Sequence, residues 1–260
     1  AADYEGEGLV VDAGCFIGAS TLALCRGLPA NAVPAGRFVV ALDRFVVGDR
    51  YIFDSLMDAG KDVNYGESFL GFFLDTVGEY IDHIDVRAGD VTNVGRIKSP
   101  IELLAIDIAK TPSTLAYVLR SWFPRLIPGK SVVVHQDFYG PAQPWIAVSM
   151  GMLLDYFELT DARVGESATF RCVRHVPKSA LERAISVQPA SDDGIAALDR
   201  VAALVDPESR RLVHLTKSMM LSYLGRGSQA TALLYELSEG IPCAAEKWSK
   251  WLAIATSKVE

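Results

Sequence analysis

No stretch of the 260-residue chain runs through the roughly 18 apolar residues that a bilayer-crossing helix needs, because charge, Gly or Pro interrupts every run. The start, Ala1-Ala2-Asp3-Tyr4-Glu5, has neither the basic residues nor the apolar stretch of a secretory signal. Cysteine is scarce: Cys15, Cys25, Cys172 and Cys243 stand far apart, with no C-x-x-C pair and no zinc spacing. Buried reduced thiols and a cytoplasmic setting are therefore expected. Positive charge is short as well. Lys and Arg total 25 against 32 Asp and Glu, for a net charge of −7, and no basic run stands out. That balance argues against a nucleic-acid partner held by the overall field, and no membrane partner is expected either.

What is present is ordinary globular material, 50% hydrophobic and 22% charged. The length suits one large domain, or a smaller one with an appendage. Up to about residue 175, short β-branched runs alternate with amphipathic segments, the pattern of a parallel α/β sheet. Strands are expected at 8–12, 37–43, 84–88, 102–107 and 131–137, with helices at 20–28, 68–81, 113–126 and 144–156. Two further strands, 157–160 and 169–173, have no long helix between them, so the parallel sheet should end in an antiparallel pair. After Pro177 the strand-like runs stop. Ala/Leu-rich helical patterns follow at 178–186, 194–205, 208–225, 229–239 and 243–258, broken at Pro189, Asp206-Pro207, Gly225-Arg226-Gly227 and Gly240-Ile241-Pro242. No internal repeat links them. The expected organisation is a sheet domain over 1–176 and an all-helical extension over 177–260, packed on the sheet or joining two copies of the chain. Ala1 precedes the first strand so closely that the sequence is expected to be part of a longer chain.

The strongest local signal is Val10-Val11-Asp12-Ala13-Gly14-Cys15-Phe16-Ile17-Gly18-Ala19-Ser20-Thr21. An acidic residue ends a strand, a loop follows with glycines four apart, and small hydroxyl residues open a helix. Such glycines let backbone approach a ligand at the carboxyl end of a strand. A dinucleotide fold would want G-x-G-x-x-G, yet Asp12 and Ile17 stand where its first and third glycines belong. Asp12 would also repel a pyrophosphate, whereas it suits an ammonium or sulfonium. Asp43 ends the second strand, where a carboxylate can accept from a ribose diol. Gly89-Asp90-Val91 follows the third.

The order and spacing of these elements resemble the class I S-adenosylmethionine-dependent methyltransferases, whose first motif is an acidic residue followed by G-x-x-x-G. The resemblance spans roughly residues 8–175 and implies a doubly wound, mostly parallel seven-stranded α/β sheet of Rossmann-like methyltransferase type. It assigns cofactor contacts to Asp12, Gly14, Cys15, Phe16, Gly18, Ser20 and Thr21. Asp43, Arg44, Gly89, Asp90, Val91 and Asp107 complete that set.

Chemistry is expected where the fourth and fifth strands end, at Asp107-Ile108-Ala109-Lys110 and His135-Gln136-Asp137-Phe138. Asp107 with Lys110 resembles the D-x-x-K of catechol- and caffeoyl-CoA-type O-methyltransferases, and Gln136-Asp137 approximates their Asp-Asn pair. Asp107 with Ser113-Thr114, then Asp137-Phe138, resembles the macrocin (TylF-like) sugar O-methyltransferases, although Ala109 and Gln136 replace two of their acids. Both groups imply a magnesium ion, here held by Asp107, Gln136 and Asp137. The missing carboxylates leave metal dependence open. Lys110, His135 and Asp137 are the candidate bases beside Asp107; imidazole, with a pKa near ~6.5, suits a hydroxyl proton, while a histidine at a strand end also reads as core. Segments 46–65 and 138–145 would shape the acceptor site, with Phe138, Tyr139 and Trp145 either lining an aromatic wall or packing the sheet edge. Phe69, Phe72 and Phe73 read as core at helical spacing. The implied activity is methyl transfer to an oxygen of a small molecule. Two rivals stand beside it: a catalytically degenerate relative that binds a ligand or partner, and a nucleotide-sugar or NAD enzyme.

Overall fold

The computed structural model describes residues 4–28 and 38–238. Seven strands form one sheet: β1 (Leu9–Ala13), β2 (Val39–Asp43), β3 (Ile84–Ala88), β4 (Ile101–Ile106), β5 (Val132–His135), β6 (Phe157–Val164) and β7 (Ser167–Cys172), in the order 3-2-1-4-5-7-6. β1 pairs in parallel with β2 and β4, and β2 with β3, while β7 runs antiparallel to both β5 and β6. This is the expected Rossmann-like arrangement with an antiparallel end. Parallel strands are covered on both faces, which is why β1 and β2 read as unbroken apolar runs, Leu-Val-Val and Val-Val-Ala-Leu, before an acid appears.

Ten helices connect and follow the strands among the described residues: α1 (Ala19–Gly27), α2 (Arg50–Asp58), α3 (Leu70–Val77), α4 (Val91–Val94), α5 (Pro112–Ser121), α6 (Pro144–Leu153), α7 (Lys178–Ser186), α8 (Asp192–Leu204), α9 (Pro207–Tyr223) and α10 (Gly227–Ser238). Their starts follow side-chain chemistry. Asp49, Thr111, Ser191 and Asp206 each accept a backbone N–H of the first turn, and proline takes the first helical position of α5 and α9. The helix expected at 68–81 is shorter, because Ser68 forms an isolated bridge with Val46 and the chain tightens into a 3-10 turn over Gly78–His83. The strand expected to reach residue 137 stops at His135, since Asp137 turns left-handed with φ 55°. The short helices α2 and α4 were not foreseen. The helix expected at 243–258, with Cys243, lies outside the described residues, as does Arg37.

Two compact units divide the chain, Ala1–Ile108 with Arg125–Ile127, and Ala109–Pro124 with Pro128–Glu260. The division falls elsewhere than the sequence boundary at 176/177. In the first unit the core gathers Val10, Val39, Phe45, Leu56, Phe69, Phe73 and Val77. Phe45, Phe69 and Phe73 pack edge-on or tilted with ring centroids 5.1–5.7 Å apart. Burying each such ring contributes about 1.5–3 kcal/mol, so the expectation that Phe69 and Phe73 are core holds. Buried Glu102 accepts the N–H groups of Glu7 and Gly8 at 2.7 and 3.0 Å and ties the start of the chain to β4.

The second unit explains the helical extension. Helix α6 is buried on nearly all sides, from Pro144 and Ile146 to Leu153, so it needs cover beyond one sheet face. α7 and α8 provide it by packing on α6, α9 packs on α8, and α10 on α9. Helices α7 to α10 thus stack in succession from α6 outward.

Candidate active site

At the end of β1, Asp12 is 2% exposed and points back into the fold. Its Oδ2 accepts the hydroxyls of Ser20 at 2.8 Å and Thr21 at 2.6 Å. Burial raises its pKa above the usual carboxylate value, the two hydroxyl bonds lower it, and the nearby Asp43 charge raises it again. Asp12, Ser20 and Thr21 therefore clamp strand to helix. The glycines serve the same packing. Gly14 has φ 89°, and a Cβ there would lie 2.9 Å from the Asp107 carbonyl carbon; Gly18 has φ 91°, and its Cβ would meet Phe73 and Val77 at 3.0 Å. Both glycines thus also serve the protein's own close packing. Cys15, beside them, is buried, and burial pushes its thiol well above the ordinary range, with Asp12 and Asp43 adding to the shift. Cys25 and Cys172 are also free and buried.

Asp43 ends β2 half-buried at the rim of the same loop. Oδ2 accepts the Phe16 N–H at 3.0 Å and Oδ1 accepts the Phe45 N–H at 2.9 Å. Phe16 and Phe45 adopt φ 48° and 53°, a left-handed conformation that costs a bulky residue about 1–2 kcal/mol. One carboxylate thus holds two strained turns, and each of its oxygens keeps room for another donor. No sequence motif announced this clamp; an acid followed two residues later by an aromatic is too common a pattern.

The third strand adds Gly89, whose N–H donates to the Asp43 carbonyl at 2.9 Å, and Asp90, which caps α4. Asp90 accepts the Thr92 N–H and hydroxyl, which holds its carboxyl below the usual range, and Arg44 pairs with it at 3.4 Å. Asp107 follows β4, its N–H donating to the Ala13 carbonyl at 2.7 Å. Asp12, Asp43, Arg44, Asp90, Val91 and Asp107 therefore belong to one unit with the loop.

The second unit carries the other candidates. Lys110 Nζ forms an ion pair with Asp137 Oδ2, the side chains 49% and 28% exposed. Gln136 is exposed. His135 is corrected. It is fully buried, neither ring nitrogen has a hydrogen-bond partner, and burial lowers its pKa to about 3. A base must reach the proton it takes, and this imidazole faces core, 6.3 Å from the Phe123 ring. Phe138 and Tyr139 are likewise core, packed on each other, with Phe138 against Phe170. The Tyr139 hydroxyl donates to the Ala162 carbonyl, and burial pushes its pKa up to about 12. Trp145, half-buried, donates its Nε1–H to the Ala109 carbonyl at 2.8 Å. The packing alternative for these aromatics is the observed one.

Exposed aromatic surface lies instead in segment 46–65 of the first unit. Tyr51 and Tyr65 are largely exposed, and Phe53 stacks on Tyr65 at 4.9 Å with planes 7° apart. The segment was anticipated; its aromatic face was not.

The magnesium site implied by resemblance does not fit. The position of one acid holds the buried methyl of Ala109, another a neutral amide at Gln136, and of the two carboxylates left, Asp107 and Asp137, the second is bonded to an ammonium. A hard cation seeks several anionic oxygens. Among the described residues no group of three or more His, Cys, Asp or Glu could hold a metal ion, and no helix is long and apolar enough to cross a membrane.

No protein-family profile matches the chain, and no curated protein sequence matches it. Among solved structures it is similar to the O-methyltransferase NovP, at 15% identity over 64% of this chain and 72% of that one, with a TM-score of 0.49. It is also similar to the calicheamicin methyltransferase CalS11, at 18% identity over 65% and 74%, with a TM-score of 0.46.

Proposed function

We propose that the chain binds S-adenosylmethionine at the carboxyl ends of β1, β2 and β3 and transfers its methyl group to an oxygen of a small molecule. The observation that carries this is Asp43: a half-buried carboxylate at the rim of the glycine loop, hydrogen-bonded to that loop through Phe16 and free to accept a ribose diol as well. The loop carries no basic side chain of its own and Arg44 after β2 is paired with Asp90, which disfavours a pyrophosphate. Bound S-adenosylmethionine would supply a methyl carbon already activated by a sulfonium. The chain's part is then to hold the ribose at Asp43, the adenine side near Asp90 and Val91, and the acceptor in line. An acceptor hydroxyl forms the new O–C bond as the C–S bond breaks and sulfur keeps the electron pair. The hydroxyl proton leaves to solvent or to a carboxylate base, for which Asp137 after β5, its side chain 28% exposed and paired with Lys110, is the candidate. The exposed Tyr51 and Tyr65 and the Phe53–Tyr65 stack favour a flat, phenol-like acceptor.

A second possibility, a fold kept for binding alone, draws support from Asp12, Gly14 and Gly18, all of which serve the protein's own packing. Calorimetric titration tests the cofactor that methyl transfer needs. S-adenosylmethionine should bind in the micromolar range, NAD should not, and Asp43→Asn should weaken S-adenosylmethionine at least about tenfold while melting cooperatively. A folded wild-type protein that binds no S-adenosylmethionine would end the methyltransferase assignment.

A further inference from the structure

We propose that the second unit binds a small organic anion, an apolar body with a terminal phosphate or carboxylate, in the pocket between α5, the turn after β7 and α7. The pocket encloses about 470 Å³, within the roughly 300–1,000 Å³ of small-molecule sites. Every residue that lines it belongs to that one unit. β7 ends beside the start of β5, with Arg171 opposite Val132, and the chain then passes through His175 into α7. Asp137 follows the other end of β5. The pocket therefore owes nothing to the methyl-transfer assignment.

Shape, charge and rigidity point the same way. Val176 and Leu181, 1% and 2% exposed, join Pro124 as the apolar part of the lining. The polar part is Arg120, His175, Lys178 and Glu182, three basic side chains around one carboxylate. That carboxylate is already occupied. Arg120 Nε donates to Glu182 Oε1 at 2.9 Å and Oε2 at 3.2 Å, and Nη2 donates to Oε2 at 2.7 Å. These bonds hold the Glu182 carboxyl below its usual range, and the Lys178 charge adds to the effect. With Arg120 and Glu182 cancelling, the Lys178 ammonium is in excess and the field in the pocket is positive. Among the described residues, Arg120 Nη1, the His175 ring and Lys178 Nζ form no hydrogen bond or ion pair, so their N–H groups remain for a ligand. The turn that carries them is tied at both ends. The Val173 N–H donates to the Tyr156 carbonyl at 2.9 Å, and the Ala180 and Leu181 N–H groups donate to the Pro177 carbonyl at 3.0 and 3.2 Å. Such a pocket selects a ligand with both parts. A neutral apolar molecule leaves the donors unanswered, and a bare inorganic anion leaves the apolar lining unused.

Phenyl phosphate and benzoate are the probes, titrated calorimetrically into the whole chain at low salt, with phenol and inorganic phosphate beside them. The better of the two organic anions should saturate one site with a Kd below about 1 mM. Phenol and inorganic phosphate should bind at least about fivefold more weakly. Phenyl phosphate ahead of benzoate marks a site for phosphate esters, and the reverse marks one for carboxylates. Lys178→Met and His175→Ala, both at exposed positions, should each weaken the better anion at least about threefold. Together they should weaken it at least about tenfold, with cooperative melting kept. Lys98→Met removes the same charge from an exposed lysine of the first unit and should leave the affinity unchanged. No saturation by either anion up to about 10 mM would overturn the proposal. A double variant that binds like wild type would do the same, as would a loss in Lys98→Met equal to that in Lys178→Met, or phenol binding as tightly as phenyl phosphate. A dimer that Lys178→Met dissociates, in a wild type that binds no anion, would also overturn it and give the pocket to a second copy of the chain.

Discussion

Asp12 near the end of β1 and His135 at the end of β5 are both buried polar side chains on sheet strands, 2% and 0% exposed, yet they are opposites. Asp12 lies among partners, two hydroxyls on one oxygen. His135 has none on either nitrogen. A buried polar group with partners specifies a geometry, whereas one without them subtracts about 1–3 kcal/mol from the fold. The acid is therefore a structural clamp for the loop that would hold a cofactor, and the imidazole is a defect in the second unit's core. Neither works as an exposed site residue, although sequence alone put both forward.

The β1 end should be the less forgiving of the two. Gly14→Ala combines a left-handed backbone with a Cβ 2.9 Å from the backbone carbon of Asp107, and backbone cannot swing aside as a side chain can. A loss of about 3–5 kcal/mol is expected, from conformational cost and overpacking together, read as a fall in denaturation midpoint. Asp12→Ala comes next. It leaves the buried Thr21 hydroxyl and the more exposed Ser20 hydroxyl without their acceptor, for a loss of about 2–3 kcal/mol. Asp12→Asn keeps an acceptor oxygen and should lose only about 1 kcal/mol. Equal losses for the alanine and asparagine variants would show that the carboxylate's charge, not its hydrogen bonds, holds the helix to the strand.

Much of this was legible in the sequence because it rests on periodicity. Val10, Val11, Val39 and Val40 are unbroken apolar runs, and a strand buried on both faces has no other way to look. The glycine loop was legible too, but its purpose was not. A glycine marks a place where a Cβ does not fit, and pattern cannot tell whether a ligand or Asp107 fills the space. Asp43 shows the same limit: its position at a strand end was visible, while its bonds to Phe16 and Phe45 depend on two left-handed turns that no propensity favours. At the β5 end, His135-Gln136-Asp137 follows the apolar run 132–134 with nothing in the pattern to mark where the strand stops. His135 shares the buried face of Val133 within β5, while the turn at Asp137 ends the strand and leaves that carboxylate partly exposed. The helical extension was recognised by its pattern, but its cover for α6 follows from α6 being apolar all round, a property of Pro144–Leu153 and not of the extension.

At neutral pH the β5 end should give an effect of reversed sign. His135→Leu removes two nitrogens that have no partners and fills a similar volume beside Phe123, so the protein should gain about 1–2 kcal/mol. The pH dependence sharpens the contrast. His135 has a folded pKa of about 3 against an ordinary 6.5, so between those values the unfolded chain carries the extra proton. Stability should fall as the pH drops below 6.5, by about 1.4 kcal/mol per unit from this group. Asp12 acts the other way. Its folded pKa is raised above 3.8, so its contribution is fully present below that value and is lost as the pH rises through the folded pKa. Chemical denaturation of both variants across the mildly acidic range reads the two slopes apart. His135→Leu should flatten or invert the acid limb, and Asp12→Asn should steepen it. If His135→Leu kept the wild-type acid slope, the imidazole would have to reach solvent in the folded protein, and its place among the candidate bases would reopen.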